Sequence, residues 1–149
     1  MLSQNVLPPT YLFIAIVLMV ILHFFFPLAK IFPFPWNLLG VIPFVAGCIL
    51  NMVADRAFKK VDTTVKPFQE STTLIVRGVF RLTRNPMYVG FVLILLGIAV
   101  FAGSLTPCLI VIVFPLLMDV IFIRVEERML ETTFGEAWLE YKKQVRRWI

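Results

Sequence analysis

Histidine occurs once in the 149 residues, cysteine twice, and charged side chains make up only 15% of the chain. Each shortage removes a class of function. A single histidine, His23, cannot supply a metal-spaced His/Cys cluster, and no Ser-His-Asp set can be assembled around it. Cys48 and Cys108 both lie inside apolar runs, so neither a disulfide framework nor a zinc site is indicated, and they read as small hydrophobes. There is no Walker loop and no dinucleotide fingerprint following a strand. The start of the chain lacks the basic stretch of a secretory signal, and its first apolar run is long enough to span, so it reads as a true helix.

What the chain has in excess is hydrophobicity: 60% of residues are apolar and the mean hydropathy is +0.90. Its apolar runs approach the length of about 20 residues that crosses a bilayer's hydrocarbon core as helix. In lipid every backbone N–H and C=O needs an internal partner, and these runs lack the alternation of a barrel strand. The fold class that follows is an all-α integral membrane protein. Four spans are expected, at about 11–32, 36–54, 86–103 and 106–125, forming two hairpins in a single domain of residues 1–149. The "PFP" and "AGSLTP" stretches supply the hairpin turns, and the polar stretch 55–84 separates the two hairpins.

Lysine and arginine outnumber the acids 14 to 9, a net charge of +5. Lys30 alone lies on the side reached between the first two spans, whereas seven basic residues fall at 56–84 and six at 124–147. The positive-inside rule therefore places the middle segment and both termini on the cytoplasmic side of a cytoplasmic or inner membrane. Topology and anionic headgroups account for the basic balance, so no nucleic-acid partner is required.

Beyond the last span, Leu130, Phe134, Trp138, Tyr141, Val145 and Trp148 recur at intervals of four, four, three, four and three. That spacing is one face of an amphipathic helix, with Glu136, Glu140, Lys142, Lys143, Arg146 and Arg147 on the other. Thr133 and Glu136 have the form of a capping box, and the chain is expected to bend near Gly135 and lie along the cytoplasmic interface. An anchoring role accounts for most of this helix.

The stretch "RLTRNPMYVG", residues 81–90, sets polar, helix-breaking residues against an apolar run. Asn is among the best N-cap residues and Pro suits the first helical turn, so Asn85-Pro86 reads as the start of the third span. The free N–H groups there, beside Arg81 and Arg84, would suit a carboxylate or phosphate. Tyr88 lies one turn in, and Gly90 permits a close approach of backbone or ligand. A cap flanked by headgroup-snorkelling arginines explains the same residues. Glu126 and Glu127 follow at the end of the fourth span, and Asp119 lies seven residues before Glu126, on nearly the same helical face. An intramembrane carboxylate normally faces a cavity or a partner, so Asp119 pairs with Arg84 or Arg124 or belongs to a site. His23 and Asn51 read as interhelical hydrogen-bonding residues.

Two separated stretches, "TTVKPFQESTTLIVRGVFRLTRNPMYVG" and "EERMLETTFGEAWLEYKKQV", carry a resemblance. Together they are similar to the integral-membrane family of isoprenylcysteine carboxyl methyltransferases and phospholipid methyltransferases. The family pattern is a Gly-x-Tyr-Arg turn, then Arg-His-Pro-x-Tyr-x-Gly, then Glu-Glu, then Phe-Gly-x-x-Tyr. Gly78, Phe80 and Arg81 match the turn; Arg84, Asn85, Pro86, Tyr88 and Gly90 the main motif; Glu126 and Glu127 the acidic pair; Phe134 and Gly135 the last, with Tyr141 as its tyrosine three positions beyond the pattern's spacing. Asn85 stands where the family has His and Phe80 where it has Tyr.

The resemblance implies a pocket for S-adenosylmethionine at the cytoplasmic face, built from residues 63–90 and 126–148, with a lipophilic acceptor entering from the bilayer. It implies cofactor contacts from Gly78, Phe80, Asn85, Pro86, Tyr88, Glu126 and Glu127, and catalytic roles for Arg84 and Glu127. Arg84 would hold a carboxylate of cofactor or acceptor, and Glu127 the cofactor's amino or ribose groups. An amide cannot take up a proton near neutral pH, so no general base is placed at Asn85. Acceptors from prenylated protein C-termini to phospholipid amines and small thiols stay open. A reductase related to sterol reductases, using NADPH, and a non-catalytic scaffold are the alternatives, separated by which cofactor binds. Four helices offer little surface to enclose both cofactor and acceptor, which points to a homodimer.

Overall fold

The computed structural model describes residues 7–60 and 73–149, and among these it is helical with no strand. Three helices are long and apolar enough to cross a membrane, Pro8–Phe25, Trp36–Lys59 and Leu105–Phe134, and a shorter apolar helix spans Pro86–Ala102. The part of the expected cofactor region at 63–72 lies outside the described residues.

Helix α1, Pro8–Phe25, starts on a proline, whose missing N–H costs nothing in a first turn. It ends well before residue 32, where the first span was expected to end. Pro27 disfavours helical geometry in the residue before it, and the chain continues without helix to Pro35. This non-helical run is tied to the turn between the third and fourth apolar helices. Leu105 N–H donates to Ala29 O at 2.9 Å, and Ile31 N–H to Gly103 O at 2.8 Å. Gly103 adopts φ +75°, and a Cβ there would stand 2.6 Å from Phe32 O, so both its conformation and its surroundings require glycine. His23 meets Ser104 at the same end, Nδ1 to Oγ, at 2.8 Å.

A turn of 3-10 helix, Trp36–Gly40, leads into α2, Val41–Lys59, which packs against α3, Pro86–Ala102. Glycines seven apart on each helix make that contact: Gly40 meets Gly97, and Gly47 meets Gly90. A Cβ on Gly47 would stand 2.5 Å from Gly90 O, and one on Gly97 would stand 2.6 Å from Gly40 O. Small residues let backbones touch, which replaces the hydrophobic drive that lipid does not supply. Gly90 thus serves helix packing, its neighbour being the Asn51 side chain. Asn51 itself donates to Gly47 O of its own helix at 3.0 Å, where an interhelical bond was expected.

Helix α4, Leu105–Met118, belongs to a helical run that does not stop at residue 125, where the fourth span was expected to end. It passes through a π-helical turn, Asp119–Ile123, directly into α5, Arg124–Phe134. Pro115 sits one turn earlier, where it removes a backbone donor, and a widened turn follows. Gly135, at φ +51°, then separates α5 from α6, Glu136–Gln144. The expected capping box is absent, because Thr133 lies within α5 and the Gly135 carbonyl takes the N–H groups of Trp138 and Leu139. Met19, Leu95, Ala99, Phe114, Met118, Phe122 and Ile123 form the core between α1, α3 and α4. Phe13, Ile42, Ile49, Ile112 and Leu116 are exposed, as side chains facing acyl chains should be.

Candidate functional site

The polar groups converge where α3 begins, below the end of α2 and beside α5. Asn85 does not cap α3 with its side chain. Its carbonyl accepts the first helical bond, from Val89 N–H at 3.1 Å, and its own N–H donates to Thr83 Oγ1 at 3.1 Å. The Asn85 side-chain amide instead donates to Arg147 O at 3.0 Å.

Arg84 is almost fully enclosed, with 8% of its side chain exposed, and its Nη1 lies 3.2 Å from Glu127 Oε1. Its guanidinium carbon stands 5.6 Å from the centre of the Trp138 ring. Arg84 Nε and Nη1 and the Trp138 indole N–H are buried without a hydrogen-bond partner among the described residues. Buried donors left without an acceptor are costly in a folded chain, and here they gather at one corner.

Glu127 is the hub of the acids. It accepts two hydrogen bonds from Arg147, from Nε at 3.1 Å and Nη2 at 2.6 Å, while Arg147 Nη1 reaches Asp119 Oδ1 at 3.0 Å. Asp119 also accepts from Arg124 Nε at 2.8 Å. The expectation that Asp119 and Glu126 share a face is overturned, and the π turn is the cause. On a regular helix residues eight apart differ by about 80° and residues seven apart by about 20°. One extra residue in the wide turn sets everything after it back by about 100°, bringing Glu127 onto the face of Asp119. Glu126 is rotated away and instead accepts from the Tyr88 hydroxyl at 2.9 Å. Asp119 pairs with Arg124, one of the two expected partners, and with Arg147, which was not among them.

Gly78 and Phe80 lie in a turn of 3-10 helix, Gly78–Arg81, with Gly78 at φ +64°. Phe80 is buried edge-on against Phe58 of α2, and its carbonyl accepts from the Tyr141 hydroxyl at 2.6 Å. Its ring is therefore engaged by protein. Burial pushes the Tyr141 phenol up to about 12, with the Arg84 charge pulling the other way. Beside this turn is a cavity of about 480 Å³, lined by Arg77, Gly78, Arg81, Tyr141, Gln144 and Val145 among others.

Of the residues expected at the site, Arg84, Asn85, Pro86, Tyr88, Glu126 and Glu127 come together, while Gly78 and Phe80 stand one layer outward beneath Tyr141. Arg147 and Thr83 are central to the geometry and carried no signal. Arg147 belongs to a basic run that reads as a solvated face, and Thr83 is an ordinary residue between two arginines.

Comparison with known proteins bears on this arrangement. The family model for phospholipid methyltransferase matches residues 36–137, which include α2, α3, α4 and α5 and the polar corner except Trp138, Tyr141 and residues 145–148. The chain belongs to the phospholipid methyltransferase family. A Haemophilus influenzae protein described as uncharacterized is 40% identical to it over 63 residues, 42% of this chain and the full length of that protein. No solved structure matches. Family membership suggests a methyltransferase acting on lipid-like substrates, and the Arg84–Glu127 pair lies within the part the family model matches.

Proposed function

We propose that this phospholipid methyltransferase family member transfers a methyl group from S-adenosylmethionine to a lipid-like acceptor at the corner around Arg84 and Glu127. The observation that carries the reading is Arg84, a buried guanidinium with two unsatisfied nitrogens, set against a buried carboxylate. The residues fit the cofactor's amino-acid end. Arg84 Nε would donate to its carboxylate while Nη1 keeps its ion pair with Glu127, and Glu127 is placed for its ammonium. Asn85, Pro86 and Tyr88 hold the head of α3 beside it, with Glu126 fixed by Tyr88. Gly78 and Phe80 shape the outer turn, where the cavity has room for the rest of the molecule.

When bound, S-adenosylmethionine supplies a sulfonium methyl that is electrophilic without further activation. The protein's tasks are then alignment and exclusion of water. Arg84 and Trp138 form a buried wall, and the carboxylates would fix the position of a cationic group. Neither Asn85 nor any other residue here has to generate a strong base. The acceptor enters laterally from the bilayer, past exposed apolar helix faces. The site end carries Arg77, Arg81, Arg84, Arg124 and the basic residues of α6, which supports a cytoplasmic orientation by the positive-inside rule.

Calorimetric titration of the detergent-purified protein with S-adenosylmethionine, S-adenosylhomocysteine and NADPH tests the reading. The first two should bind saturably, and Arg84→Ala should weaken both at least about tenfold, the loss of a charge-assisted contact. Saturable binding of NADPH alone would move the assignment to a reductase, and binding of none by folded protein would make the chain a non-catalytic scaffold.

A further inference from the structure

Residues 144–148 form a wall between two features of the site. On one side Gln144 and Val145 line the 480 Å³ cavity. On the other, the carbonyls of Arg146 and Arg147 close over the start of α3. Arg146 O accepts from Arg84 N–H at 3.0 Å, and Arg147 O accepts from Thr83 Oγ1 and Asn85 Nδ2, each at 3.0 Å. The Arg147 guanidinium then spends three hydrogen bonds on Glu127 and Asp119.

We propose that Arg147 is an internal cation that closes the site, and that residues 145–148 lift as a lid before a ligand's ammonium group can reach Glu127. This rests on the cofactor reading above. Two guanidinia contact Glu127, and their burial separates their roles. Arg84 has 8% of its side chain exposed and Arg147 34%, so Arg147 can return to water while Arg84 stays. An incoming ammonium that takes its place exchanges one positive charge for another. The carboxylates are never left uncompensated, because Arg84 and Arg124 remain beside them. Lifting the segment also removes Val145 from the cavity wall and joins the cavity to the Arg84 corner, giving an elongated ligand one continuous site. In this scheme Asn85 gains a role suited to an amide: a donor that latches the lid backbone.

The test is calorimetric binding of S-adenosylhomocysteine to the full-length protein in detergent, with Arg147→Gln and Arg147→Lys beside wild type. Amide hydrogen exchange of the peptide containing Arg84 is followed in parallel. Removal of the internal cation should tighten binding about tenfold in Arg147→Gln and by a smaller factor in Arg147→Lys, whose ammonium cannot span both carboxylates. Ligand should also speed exchange of the Arg84 amide in wild type, as its bond to Arg146 O opens. Unchanged or weaker binding in both variants, or an Arg84 amide equally protected with and without ligand, would overturn the lid. If Arg147→Gln fails to fold, Arg147→Lys decides by the same criterion. Absence of binding by wild type and both folded variants would instead remove the cofactor reading, and the lid with it.

Discussion

Replacing Glu127 with glutamine isolates the charge at the centre of the polar corner. The amide keeps the shape of the side chain but removes the counter-charge of Arg84, which is 8% exposed, and of Arg147, which makes two hydrogen bonds to it. Removing one member of a buried ion pair costs about 3–5 kcal/mol, because the remaining charge stays out of water. Arg147 is one-third exposed and still has Asp119, so its share is screened, and we place the loss near the lower bound of about 3 kcal/mol. For a chain of this size each 1 kcal/mol moves the unfolding midpoint by about 2–4 °C, which gives a fall of about 6–12 °C. Thermal unfolding in a mild detergent, followed by tryptophan fluorescence, reads it directly. The same substitution made in an Arg147→Gln background should cost less, with a coupling of about 1–3 kcal/mol, because one of the two orphaned cations is already gone. A fall under about 2 °C, or strict additivity, would refute the claim that Glu127 is the buried counterion of both arginines.

Gly47→Ala should destabilise the helix pair α2 and α3 by about 1–3 kcal/mol, since its methyl would meet backbone atoms of Gly90 and Ile94 that cannot swing aside. The same unfolding assay checks it, and a neutral result would mean that the helices can separate at no cost. Tyr141 tests the turn that carries Phe80. Its folded pKa, about 12, lies above the ordinary value of 10.0, so the neutral phenol favours the folded state. That stability is fully present below pH 10 and is lost as pH rises through about 12. Tyr141→Phe should therefore be less stable at neutral pH, through loss of its bond to Phe80 O, and should lack this alkaline limb when unfolding is followed against pH.

Much of this protein is written in local properties of its chain. Apolar runs require helices wherever backbone groups leave water, and "RNP" marks the start of α3 because proline fits only a first turn there. The linked motifs around Arg84, Tyr88 and Glu126–Glu127 were legible because each is a compact string with its own chemistry. Helix limits were legible only approximately: α1 ends early at Pro27, and residues 29–32 beyond it gain partners in the turn 103–105, more than seventy positions away. The heptad spacing of Gly40 with Gly47 and of Gly90 with Gly97 is visible in the sequence, but its meaning depends on which helices lie together.

The amino-acid order by itself determined an all-helical membrane chain, its family pattern and the residues Arg84 and Glu127. Only the tertiary structure decided that a π turn brings Glu127, and not Glu126, round to Asp119, and that Arg147 completes the cluster. The reason is physical. A helical face can be counted from sequence while every turn holds 3.6 residues, and one wide turn breaks the count. A long, flexible arginine can meet any carboxylate within its reach, so its partner is set by where the chain returns in space.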